Sequence, residues 1–202
     1  MNLDTTQLLA IAAALGWASG MRLYAVVFLT GLAGHLGLVE LPAGLRLLQQ
    51  PALLWGSGAL LMVEFVADKV PLVDSMWDAV HTLIRIPAGA ALAAGVFGFD
   101  AGQWAVIGGL MGGSLAATSH LAKATTRAAV NSSPEPFSNI GLSLLGDAAV
   151  PLLLWLSWVS PTVFYAVLAL AVVAALALTF VLFKFVRALA RRLFRRSTPA
   201  AA

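Results

Sequence analysis

The sequence predicts an all-α polytopic membrane protein with about six transmembrane helices, and three observations carry that prediction. Hydrophobic residues make up 60% of its 202 residues and charged residues only 10%, where a soluble domain carries about 25% charge. Apolar runs recur between clusters of Pro, Gly and charge, and they are long enough to cross a hydrocarbon core, which takes about 20 helical residues. Lys and Arg gather on alternate links, as the positive-inside rule requires of a multi-pass protein. A single membrane domain over residues 1–183, followed by a basic cytoplasmic tail over 184–202, accounts for the length. Cysteine is absent, which removes disulfides, thiolate catalysis and Cys-based metal sites. The net charge of +3 resides in the tail and speaks for membrane orientation, not for a nucleic-acid partner.

The first helix is expected from about Leu8 to Gly37, interrupted by Gly16 and Gly20, with Arg22 directly after them. The preceding MNLDTTQ has an acid and no Lys or Arg, and no small-x-small site follows the apolar run, so this run reads as a membrane helix and not as a cleavable signal. The second helix begins after Pro51 and runs to about Ala67. The third runs from Pro71 to Phe97, with Pro87 as its expected kink, since proline cannot donate its backbone bond. The fourth, from Gln103 to Val130, carries Gly108, Gly109, Gly112 and Gly113 on one flank, where another backbone can approach closely. That flank is also a candidate contact for a homodimer. A break at Asn131–Pro136 precedes the fifth helix, Phe137 to Trp158, and the sixth runs from Pro161 to about Phe183.

Six spans would leave both termini on one side. Lys69, Lys123, Arg127 and the six basic residues of the tail would share it, with Arg46 alone opposite, which makes it the cytoplasmic side of a bacterial inner membrane. The order also admits two inverted three-helix repeats, echoed in the runs Asp68-Lys-Val-Pro71 and Asp147-Ala-Ala-Val-Pro151.

Charge is concentrated in one stretch, EFVADKVPLVDSMWDAVHTLIRIPAG, from Glu64 to Gly89. Asp74, Asp78, His81 and Arg85 are spaced i, i+4, i+7, i+11 and so fall within an arc of roughly 60° on a helix otherwise apolar all round. Ionisable residues at membrane depth face a cavity or a partner. Three readings are open: a cavity, a neutralised knot joining Asp78 to Arg85 or His81, or a solvated surface helix ahead of a membrane that starts near Leu83. Glu64 and Asp68 form a second i, i+4 acidic pair. Together with Asp74 and Asp78 they could store protons when crowded, or offer hard oxygen ligands to a divalent cation. Arg22 and Asp147 sit near the centres of their helices, where a mutual pair or a shared hydrated cavity costs least. His120 and Lys123, with Arg127, make a basic rim for an anion or a lipid head group, or serve topology alone.

The runs Ser19-Gly-Met-Arg-Leu-Tyr24, Glu64 to Ala90, Ser119-His-Leu-Ala-Lys-Ala-Thr-Thr-Arg127 and Asn131 to Asn139 carry a resemblance over most of the chain to about Leu156. The chain resembles the bacterial integral membrane family known as domain of unknown function 4126. The resemblance implies a membrane protein and says little of activity. Two positions depart from the family pattern: Arg22 stands where Asn is common, and Gly146-Asp147 where Glu-Asp is common. An Arg22–Asp147 pair is therefore an inference about this chain.

The expected role is a carrier or channel for a small polar or ionic solute, with proton coupling and no cofactor. The pathway residues are Arg22, Glu64, Asp68, Asp74, Asp78, His81, Arg85, His120, Lys123 and Asp147. Membrane lipids are the expected surroundings. The alternatives are a metal-dependent enzyme acting on a lipid head group, with Glu64, Asp68, Asp74 and Asp78 as ligands, and a non-catalytic scaffold. Against the enzyme stands the absence of an Asp-x-x-Asp-Gly-x-x-Ala-Arg core.

Overall fold

A computed structural model describes residues 3–70, 72–131 and 137–196. Its described residues form six α-helices and one 3-10 helix, without strands. The helices are α1 (Thr5–His35), α2 (Pro51–Ala67), α3 (Val73–Phe97), α4 (Gln103–Val130), α5 (Phe137–Val159) and α6 (Pro161–Arg196), with the 3-10 helix at Ala43–Gln49. Five of them, counting α6 as Pro161–Phe185, are long and apolar enough to cross a membrane; the 3-10 helix and α2, bent by 69°, could make a sixth. Pro71, the expected start of the third helix, and residues 132–136 of the expected break lie outside the described residues.

The molecule is inside-out relative to a soluble protein. Leu83 and Met76 on α3 are 82% and 71% exposed, while Arg85, on the opposite face of the helical projection, is fully buried. Apolar side chains face outward because the surrounding solvent is lipid, and charges turn inward because only the protein can pair them. Helix ends follow local chemistry. Asp4 Oδ1 accepts from the Gln7 amide at 2.7 Å, and Pro51 opens α2, where its missing N–H is no loss. Gly98 (φ 87) and Gly102 (φ 55) turn the chain between α3 and α4.

Helix α1 lies at the centre, with Ala10 to Ala14 almost fully buried. Its start sits at the α5–α6 turn: Gln7 Nε2 donates to the Trp158 carbonyl at 2.9 Å, and the Tyr165 hydroxyl to the Thr6 carbonyl at 2.8 Å. From there it runs alongside α4 in the same direction. Ser119 donates to the Trp17 carbonyl at 2.7 Å, and Lys123 to the Met21 carbonyl at 3.1 Å. At Arg22 the backbone leaves the helix, with φ −149 and ψ 87. The second half then returns. Tyr24 meets Trp77 and His81, Phe28 covers Gly58, and Gly31 abuts Leu48 of the 3-10 helix just ahead of α2. That 3-10 helix lies at the same end as Gly95 and the α3–α4 turn, since Gly44 packs on Gly95. So α1 enters the bundle, folds at Arg22, and comes back toward the end it entered from.

This path corrects two expectations. The first helix does not carry the chain from one end of the bundle to the other, so its first residues lie at the end opposite the basic continuation of α6. The expected placement of both termini on one side does not fit that arrangement. The break in helical backbone falls at Arg22, while α3 continues as one helix across Pro87.

The glycines fix how closely α1, α3 and α4 approach. A Cβ on Gly16 would lie 2.5 Å from Gly112 Cα, and one on Gly112 would lie 2.3 Å from Ala93 Cβ and 2.6 Å from the Gly89 carbonyl oxygen. Backbone therefore packs on backbone, as small residues allow between membrane helices. On the flank considered for a dimer, Gly108 and Gly112 are occupied by α3 and α1 of the same chain.

Two outcomes are expected. Gly112→Val should destabilise the detergent-solubilised protein by about 1–3 kcal/mol through overpacking, read as a lower melting temperature, whereas Gly141→Ala, with open space at its Cβ, should not. Tags placed at the two ends of the chain should be cut by protease from opposite faces of sealed vesicles; cleavage of both from one face would refute the fold-back at Arg22.

Candidate functional site

The residues singled out from the sequence converge. Arg22, Glu64, Asp68, Asp74, Asp78, His81, Arg85 and His120 are each at most 6% exposed. Ion pairs link most of them into one network at the end of the bundle where α2, α4 and α5 bring their charges together. Along α3 it extends from Asp74 to Arg85, about 16 Å at 1.5 Å per residue.

At the mouth, Arg127 Nη1 bonds Asp74 Oδ2 at 2.6 Å, the Asp68 carbonyl at 2.9 Å and Asn139 Oδ1 at 3.0 Å. Asp74 also accepts from its neighbour's amide and from Asn131 Nδ2, and it lies in the first turn of α3, where the helix dipole favours an anion. Asp68 is the common acceptor. Arg22 reaches it at 3.0 Å, Lys123 at 3.1 Å and Arg127 at 3.3 Å. Deeper, Arg85 lies between Asp78 and Glu64, with one guanidinium nitrogen on each at 2.6 Å, and Lys123 bridges to Asp78 at 3.0 Å. Arg22 reaches Asp147 at 3.0 Å, and Lys69 holds the other oxygen of that carboxylate at 3.1 Å. The linked carboxylates are Glu64, Asp68, Asp74, Asp78 and Asp147; the linked cations are Arg22, Lys69, Arg85, Lys123 and Arg127. They match one for one in formal charge.

His81 is held by neutral groups, whereas His120 also faces the Arg85 guanidinium, Nδ1 to Nη1 at 3.5 Å. Thr82 gives its proton to the Asp78 carbonyl, so it accepts from His120 Nε2 at 2.7 Å. His81 donates Nδ1–H to the Trp77 carbonyl at 2.8 Å, stacks on the Trp77 ring with centroids 4.1 Å apart, and faces the Tyr24 hydroxyl through Nε2 at 3.0 Å.

Several expectations meet this geometry directly. Asp78 pairs with Arg85 and not with His81, and Arg22 pairs with Asp147. The stripe of α3 is buried, unlike the solvated surface helix that was one reading of it. Lys123 is not a rim residue: its side chain is 13% exposed and wedged between Asp68 and Asp78. The four carboxylates considered for a metal do not gather. Cations stand between them, and among the described residues no three Asp, Glu or His side chains come together as a cation site. Sequence reasoning left Arg127, Lys69, Tyr24, Asn139 and Ser143 out of the pathway set. Arg127, Lys69, Tyr24 and Asn139 stand inside the sequence runs that carry the family resemblance, and that was the available signal.

Beside the network lies a cavity of about 310 Å³ between α1, α4, α5 and α6. Arg22, Asp68, Lys123 and Arg127 line one side of it, and Leu142, Leu145 and Leu178 the other. Every polar contact of Arg22 described above goes through Nη2, including two to Ser143 at 2.9 and 3.1 Å; Nη1 is buried with no partner. The break at Arg22 also frees backbone groups, and the Met21 carbonyl is taken up by Lys123.

With fold and site in view, the chain belongs to the class of helical membrane proteins with a buried ionic network. Residues 9–180 match the family described as Domain of unknown function (DUF4126), and the chain is a member of that family. No curated protein and no solved structure matches it.

The Asp78–Arg85 pair gives a direct check. Asp78→Asn and Arg85→Gln should each destabilise the protein by about 3–5 kcal/mol, the range for stranding one member of a buried pair. The double variant should lose less than the sum by about 0.5–3 kcal/mol. Strict additivity in thermal unfolding would mean the pair is not coupled.

Proposed function

We propose that the protein is a small membrane carrier for an anionic solute, with the network end of the bundle cytoplasmic and the start of α1 on the opposite side. The observation that carries this reading is the folded α1. Non-helical backbone at membrane depth survives only where protein buries it or where it lines a cavity, and broken helices of this kind mark binding sites in transporters. Here the break presents Arg22, with one donor nitrogen unused, at a cavity. Residues 10–14 of α1 fill the centre above it, so transport needs a rearrangement and not a standing pore. Coupling to protons falls to Glu64, whose Oε1 is held by Arg85 while its Oε2 is buried without a partner.

The competing reading is a scaffold, favoured by the one-for-one cancellation of charge. Reconstituted protein separates the two. Counterflow of radiolabelled anions, including inorganic phosphate, short carboxylates and fatty acids, should be detectable in proteoliposomes. Asp147→Asn should abolish it while the protein still folds, because Arg22 keeps Asp68 and Asp147 is only partly buried at 22% exposure. Glu64→Gln should remove stimulation by a pH gradient and leave exchange intact. If no anion moves and Asp147→Asn merely unfolds the protein, the scaffold reading takes over.

A further inference from the structure

The cavity changes character from one wall to the other. Its inner wall holds three cations, Arg22, Lys123 and Arg127, against one carboxylate, Asp68. Its outer wall is apolar and belongs to α5 and α6. Leu145 and Leu178 line the cavity, yet they are 66% and 43% exposed on the outer surface of the bundle, and Ala174 beside them is exposed as well. A residue that lines a cavity and faces the exterior marks an opening, so this cavity opens sideways between α5 and α6. In a bilayer that side meets acyl chains.

A hydrated inorganic anion gains little from such a route, because half of its shell would be replaced by groups that cannot bond it. A ligand with an apolar chain and a charged head matches both walls. Binding pockets commonly pair an apolar lining with a few convergent polar groups that fix orientation. We propose that the cavity binds an anionic amphiphile, with a carboxylate or phosphate monoester head against the cationic wall of Arg22, Lys123 and Arg127 and its chain leaving between α5 and α6. As the identity of the cargo this rests on the carrier reading; as a binding site it does not.

The test uses full-length protein in nanodiscs of zwitterionic lipid, with radiolabelled dodecyl phosphate as probe and empty nanodiscs as background. Unlabelled dodecyl phosphate and dodecanoate should displace the probe, and dodecanol and inorganic phosphate should do so at least about tenfold less well. Ala174→Trp, a change at an exposed position of the opening, should weaken binding about tenfold with the melting temperature unchanged. Arg22→Gln should weaken it by a similar factor. Equal displacement by dodecanol would overturn recognition of the head, and equal displacement by inorganic phosphate would overturn the role of the chain. Undiminished binding to Ala174→Trp would overturn the site itself, even if Arg22→Gln fails to fold. Probe binding without flux in proteoliposomes sustains this inference and removes the carrier reading. Flux of a small anion without probe binding does the reverse.

Discussion

Mutual cancellation of buried charge is the constraint on which the rest of this structure depends. Moving one ion from water into a low-dielectric interior costs several kcal/mol even after relaxation. Glu64, Asp68, Asp74 and Arg85 are all fully buried, and they are tolerated only because each has an opposite charge within about 3 Å. No single pair suffices. Asp68 serves three cations, and Arg127 serves Asp68, Asp74 and Asp78. The partners come from α1 through α5 and from the residues just after α2, so the network can form only when those elements are assembled. Among the described residues α6 adds no ion pair to it; this helix supplies instead the apolar outer wall of the cavity.

Much of this was legible in the sequence. The bounds of α2, α4 and α6's start follow from Pro51, Gln103 and Pro161, because proline and turn residues leave local signatures that tertiary packing does not erase. The spacing of Asp74, Asp78, His81 and Arg85 put them on one face, and a narrow polar face on an apolar helix has to turn inward in lipid. The same solvation argument joined Arg22 on α1 to Asp147 on α5, far apart in sequence, because two lone charges at similar depth cost least together.

What stayed hidden has a physical reason too. The break in α1 involves one residue in an extended conformation, flanked on both sides by apolar helix. Periodicity and mean hydropathy are blind to it, and no proline marks it. Gly16 and Gly20 looked like interruptions, yet both are spent on close packing, against Gly112 and against Ala116 and Ser119. The break is stabilised from outside the segment, by Lys123 on the Met21 carbonyl and by the carboxylates around Arg22. Missing it reversed the side of the first residues, since one uncounted fold changes the parity of every crossing before α2. Arg127 was passed over for a related reason: a cation near the end of a helix satisfies the positive-inside rule whether or not it is buried.

On the carrier reading, the shared partners also say how the network can move. Where each ion has one partner, separation exposes two bare charges. Where partners are shared, a contact can be lost while both ions remain paired, so the cost is the difference between two paired states. Arg22 is placed for such an exchange. Its Nη2 holds the α1 apex to Asp68 at the end of α2 and to Asp147 on α5, while Nη1 is unused. An anion drawn to the Arg22 guanidinium competes for the same cation and weakens its hold on both carboxylates. A ligand shifts an equilibrium only by its differential affinity for the two states. Reversing a 1:99 population takes about 5.5 kcal/mol, and hydrogen bonds to charged groups contribute about 1.5–3 kcal/mol each. Two to three charge-assisted bonds to the anion, made in one position of Arg22 and not in the other, therefore reach the required scale without any new apolar contact. The apex of α1 is the element in this fold that such a difference can act on, because its backbone is already out of the helix.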